Sequence, residues 1–171
     1  MSTHAISRTH FIRGKYQGSS AVRPPWAIDE VSFIDACSQC YECAKACPSH
    51  LIVKGVGGFP EMSFSRHGCD YCEACVRACP EEVLEITPQN QQHPWQQIAS
   101  VSDGCFAKRG VVCRSCGEIC EARAIQIKPQ LAGRSQIIID ATACNGCGEC
   151  VHVCPAHAIE IQKNPVGEIH E

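Results

Sequence analysis

One spacing constrains this chain more than anything else in it. The run C-x2-C-x2-C-x3-C-P occurs three times, at Cys37, Cys40, Cys43 and Cys47, at Cys69, Cys72, Cys75 and Cys79, and at Cys144, Cys147, Cys150 and Cys154. A fourth unit is irregular. Cys113, Cys116 and Cys120 keep the last two gaps, but seven residues, "FAKRGVV", separate Cys113 from Cys105 where the other units have two, and Glu121 replaces the proline. After each unit comes an apolar alternation with a period of two, at Leu51/Val53, Leu84/Ile86, Ile125/Ile127 and Ile159/Ile161, which predicts a short strand. Further strands are expected in "EMSFSRHGC" and "SQIIIDATAC", each reached through a turn ("GVGGFP", "PQLAGRSQ"). The units group in twos, so the chain reads as an α+β protein of two tandem modules. Their expected limits are 30–88 and 103–163, with an irregular N-terminal head at 1–29, a polar linker at 89–102 and a tail at 164–171.

Sixteen cysteines in 171 residues mean either a disulfide scaffold or a metal protein. The N-terminal stretch has no apolar run that could serve as a secretory signal, and Arg8 is followed by Thr9 where a twin-arginine signal needs a second arginine. A cytoplasmic location is therefore expected, and disulfides are not. Structural zinc would account for two cysteines per loop but not four in succession. Three thiolates two residues apart on a coiled loop converge instead on three corners of a cubane, with the loop amides turned toward its sulfurs. Three [4Fe–4S] clusters follow directly from the motifs. A fourth is expected at Cys105, Cys113, Cys116 and Cys120, with a zinc or an empty site as the alternatives there. Lys108 and Arg109, on the inserted loop, would place cations near that cluster. Pro48, Pro80 and Pro155 start the turn after each full run, and Gly146 and Gly148 allow close approach of the backbone. With thiolate supply complete, His67, His93, His152 and His157 are not expected to be ligands. A net charge of −3 offers no basic stripe for nucleic acid, and no apolar stretch is long enough to cross a bilayer. No nucleophile stands beside a base and no glycine loop is built for phosphate, so the chain is not expected to be an enzyme.

The full runs resemble those of bacterial ferredoxins with two clusters per module, where the fourth cysteine of each run serves the other cluster. That resemblance implies Cys37, Cys40 and Cys43 with Cys79, and Cys69, Cys72 and Cys75 with Cys47. In the second module it implies Cys144, Cys147 and Cys150 with Cys120, and, if the irregular site is intact, Cys105, Cys113 and Cys116 with Cys154. More specifically, "IRGKY", "VRPPW", "GVGGFPEMSF" and "CFAKRGVVCRSCGEIC" resemble the NapF family, ferredoxin-type accessory proteins of the periplasmic nitrate reductase system. The resemblance implies a cytoplasmic protein that contacts the precursor of the catalytic subunit, NapA, and assists its maturation before export. The alternatives are an electron-transfer ferredoxin or relay, and a cluster carrier. Arg23, Pro24, Pro25 and Trp26 are expected either to dock that partner or to pack on the first module.

Overall fold

The computed structural model of the chain describes residues 21–91 and 94–164. The expectations for residues 1–20, for His93 and for the tail beyond 164 lie outside them. Every cysteine run ends in a short helix, as expected: α2 (Glu42–Ala46), α3 (Ala74–Arg77), α4 (Ser115–Ile119) and α5 (Glu149–His152). Among the described residues one helix, α1 (Glu30–Ala36), precedes the first run; the Asp29 carboxylate caps it by accepting from the Val31 and Ser32 amides at 3.1 Å.

The strands form three two-stranded antiparallel sheets. β1 (Ile52–Lys54) pairs with β2 (Pro60–Met62), and β4 (Ile125–Pro129) pairs with β5 (Ser135–Ile139), which are the two hairpins expected between the units. The third sheet was not expected. β3 (Gln97–Val101) lies inside the stretch read as a polar linker and pairs along its whole length with β6 (Ile159–Lys163). The second module therefore starts some residues before its expected limit, because its C-terminal strand needs an N-terminal partner.

The first module closes in the same way with less sheet. No strand forms at Leu84/Ile86; a single bridge joins Ala27 to Leu84, flanked by Ile28 N–H to Val83 O at 3.1 Å and Glu85 N–H to Trp26 O at 2.9 Å. The end of the head is thus the first module's counterpart of β3. Its side chains point inward: Pro24 and Pro25 are fully buried and Trp26 is 4 % exposed. Arg23 is held by Glu30 at 2.7 Å and Glu61 at 3.5 Å, and its guanidinium lies over the rings of Phe33 and Phe59. Of the two expectations for this tetrapeptide, packing on its own module is the one observed. Pro24, Pro25 and Trp26 are buried against it, and Arg23 is partly buried and ion-paired.

The modules are packed together, not merely tethered. Val22 and Phe64, from the first half of the chain, belong to the apolar core that contains Ala99, Ile125, Ile159 and Ile161, and Met62 touches the cores of both modules.

Candidate metal centres

Backbone conformation positions the thiols. In each full run the two residues that flank the second cysteine are left-handed: Gln39 and Tyr41 (φ 58° and 61°), Tyr71 and Glu73 (56° and 60°), Gly146 and Gly148 (73° and 83°). This double reversal coils the loop and turns its amides inward. Only one run uses glycines for it, and there they are required. A Cβ on Gly148 would sit in the ring of Phe64, and one on Gly146 would lie 2.5 Å from Gln97 O. A second signature follows the last cysteine: the third residue beyond it is left-handed in all four units, His50, Glu82, Arg123 and His157 (50°, 53°, 51°, 46°). The irregular unit keeps this turn despite losing its proline, with Arg123 N–H donating to Cys120 O at 3.0 Å.

The cysteines gather in four sets. Site I is a pocket lined by Cys37, Cys40, Cys43 and Cys79. Site IV is a pocket lined by Cys105, Cys113, Cys116 and Cys154. The two match in donor count, and the inserted loop brings Cys105 to the position that the first cysteine of a full run fills at site I. At site II, Cys47 is near enough for its charge to act on Cys69 and Cys75; at site III, Cys120 acts in the same way on Cys147 and Cys150. Within each module the sites adjoin, Cys43 acting on Cys75 and Cys116 on Cys150.

Burial, and after it mainly the neighbouring thiols, pushes these groups up: Cys43 and Cys116 to about 11, and Cys69, Cys75 and Cys150 to about 12. Without metal the thiols hold their protons, and a bound cationic core must displace them. All sixteen are free thiols. Among the described residues no three His, Cys, Asp or Glu side chains close in on a space fit for one ion. Zinc would need sulfurs at about 2.3 Å from a single centre. The four thiols that line each of the pockets at sites I and IV are a donor set that suits a cubane.

Among the described residues no histidine lines site I or site IV. The rings of His67 and His152 face each other with centroids 6.1 Å apart, and His157 occupies its left-handed turn. Lys108 Nζ donates to Val101 O at 2.8 Å and pairs with Asp103 at 3.3 Å, pinning the inserted loop to the end of β3. Neither Lys108 nor Arg109 lines the pocket.

The junction between sites II and III was missed altogether. The Cys69 amide donates to Cys147 O at 2.7 Å, and the Gly68 amide donates to the Glu149 carboxylate. The Tyr71 hydroxyl and Trp95 Nε1 both donate to Asn145 O, at 2.7 and 2.9 Å. Burial raises the pKa of the Tyr71 phenol, with Cys147, Cys69 and Cys144 adding to it, so it stays protonated and keeps its role as donor. The one available signal was Trp95 itself, an aromatic residue in a stretch that is otherwise polar.

Comparison with known proteins agrees with these arrangements. Residues 36–84 and 109–158 each match a family model described as a 4Fe-4S dicluster domain. The second match starts beyond Cys105, whose place at site IV is visible only in the fold. Ferredoxin-type protein NapF of Haemophilus influenzae is 38 % identical over 170 residues, covering 93 % of this chain and 95 % of its own. Ferredoxin-type protein NapF of Escherichia coli K12 is 36 % identical over 154 residues, covering 90 % and 92 %. The methylamine utilization ferredoxin-type protein MauM of Paracoccus denitrificans is 30 % identical over 159 residues, covering 78 % and 66 %.

Proposed function

Because the chain belongs to the NapF family of ferredoxin-type [4Fe–4S] proteins, we propose that it is a non-catalytic cytoplasmic accessory protein that assists maturation of the periplasmic nitrate reductase catalytic subunit, NapA, before export. In this reading the four cysteine sets are the ligands, one cluster each, with the fourth cysteine of every unit exchanged within its module. Bound there, a [4Fe–4S] cluster supplies a one-electron couple. Four thiols per set leave no iron open to a substrate, which is why the reading is not an enzyme. Among the described residues no helix is long and apolar enough to cross a membrane.

The observation that favours partner contact is an exposed apolar patch beside site IV. Val111 and Val112, on the inserted loop, are 54 % and 92 % exposed, and Leu131, on the β4–β5 turn, is 93 % exposed. The loop and the turn touch, with Ser135 N–H donating to Ala107 O at 2.8 Å, and Phe106 at the base of the patch lines the site IV pocket. Arg109, Arg114 and Arg134 are exposed on the same two segments. An apolar centre with a cationic rim fits a partner surface that is apolar and edged with acid, and the NapA precursor is the occupant assigned to it. Val112→Asp combined with Leu131→Asp should lower capture of purified NapA precursor at physiological salt by tenfold or more while leaving iron content unchanged. Undiminished capture by the double variant would remove the patch from the reading. No capture by the wild type would remove maturation by direct contact.

Electron relay is the second reading, and the direct contact between sites II and III favours it. If deletion of the protein leaves electron flux intact but yields cluster-poor, inactive reductase, the relay reading fails.

A further inference from the structure

The joints between neighbouring sites run in one order. Sites I and II adjoin through Cys43 and Cys75, and sites III and IV through Cys116 and Cys150. Between the modules, one hydrogen bond runs from the residue of one expected ligand to that of another: Cys69 N–H to Cys147 O. This bond is braced on both sides. The Glu149 carboxylate, next to Cys150, accepts from the Gly68 amide, next to Cys69. On the other flank, Tyr71 spans the gap with its hydroxyl on Asn145 O, and its ring packs edge to face on Trp95 (centroids 5.8 Å) and on Trp26 (6.2 Å). The backbone does not single out Tyr71, since the matching residues Gln39 and Gly146 are also left-handed. The side chain does. The structure gives the corresponding position on the facing loop to Gly146, where any Cβ would strike Gln97 O and Trp95 Nε1. One loop projects an aromatic ring at this position, and the other is stripped of its side chain.

We propose that Tyr71 is the positioning residue of a rigid junction that holds the Cys69–Cys75 loop against the Cys144–Cys150 loop, so that the four sites form one redox unit, not two independent pairs. The proposal rests on the ligand assignment above. Exchange across the junction is a one-electron event: the site on one side is oxidised by one electron and the site on the other reduced by one, with no bond made or broken. The hydrogen-bonded pair of ligand residues provides a short, fixed route, and the braces prevent it from opening. It also explains the burial of Trp26, whose ring supports Tyr71 from behind.

The test uses the full chain, reconstituted anaerobically and titrated with dithionite while EPR spectra are recorded. Tyr71→Ala with unchanged iron and sulfide content should lose the broad component caused by interaction between modules, and should narrow the spread of reduction steps. Tyr71→Phe, which keeps the ring, should lie between it and the wild type. Tyr71→Ala spectra and titration superimposable on the wild type would overturn the proposal. Should Tyr71→Ala fail to load iron, hydrogen exchange in the wild type decides. Strong protection across residues 68–71 supports the junction, and exchange as fast as at the exposed residues 109–112 overturns it. A wild type that cannot hold four clusters would sink the ligand assignment itself, a result distinct from either.

Discussion

Arg123 is one of four residues with an ordinary side chain held in the left-handed region three positions after a cysteine. For an L-residue that conformation costs roughly 1–2 kcal/mol, while glycine would accept it at an unfolded-state penalty of about 0.5–1 kcal/mol. Arg123→Gly should therefore raise stability by about 0.5–1 kcal/mol, read as a rise of a few degrees in the thermal midpoint of the loaded protein. A fall would mean that the Arg123 side chain has a role its exposed position does not suggest. The opposite change is severe. Gly148→Ala places a Cβ inside the Phe64 ring at a φ of 83°, so site III should no longer load, with a loss of about four iron atoms per chain. Full iron content in that variant would contradict the packing described. The cysteines were legible in the sequence because their spacing repeats from unit to unit. The left-handed turns were not, because His, Glu and Arg carry no sign of the backbone they adopt.

At the scale of elements, the hairpins and the four post-cysteine helices were readable from period and turn chemistry. β3 was not: Gln97 to Val101 is framed by polar residues, and only its pairing with β6, sixty residues away in sequence, makes it a strand. The same reason explains the head. "RPPW" looks like an anchor for a partner when taken alone, yet it fills the edge position that β3 fills in the second module, and no local pattern distinguishes the two uses. The inserted loop carries Cys105 to the lining of the site IV pocket, and Lys108 ties that loop to the end of β3, an element that was not foreseen. The loop predicts a specific loss. Cys105→Ser should remove about four iron atoms and leave the other three sites loaded; iron and sulfide analysis of the purified variant checks it, and an unchanged count would mean that Cys105 is not a ligand.

Across the described residues there are three sheets of two strands and helices of at most seven residues, so little of the stability of this part of the chain comes from regular structure. Its cores contain the cysteines themselves: Cys43 and Cys75 in one, Cys105, Cys116, Cys150 and Cys154 in the other. Emptying the sites would leave hollow cores lined by thiols. Removal of iron should consequently abolish cooperative thermal unfolding and expose the chain to protease, as expected when metal binding supplies the folding free energy. An apo form with near-UV circular dichroism and protease resistance like those of the loaded protein would contradict this. If all sixteen cysteines are spent on four complete sites, the irregular one included, native mass spectrometry of the anaerobically reconstituted wild type should show a single main species whose added mass corresponds to four [4Fe–4S] clusters; a species saturating at three, or carrying a zinc ion in place of the fourth, would contradict this.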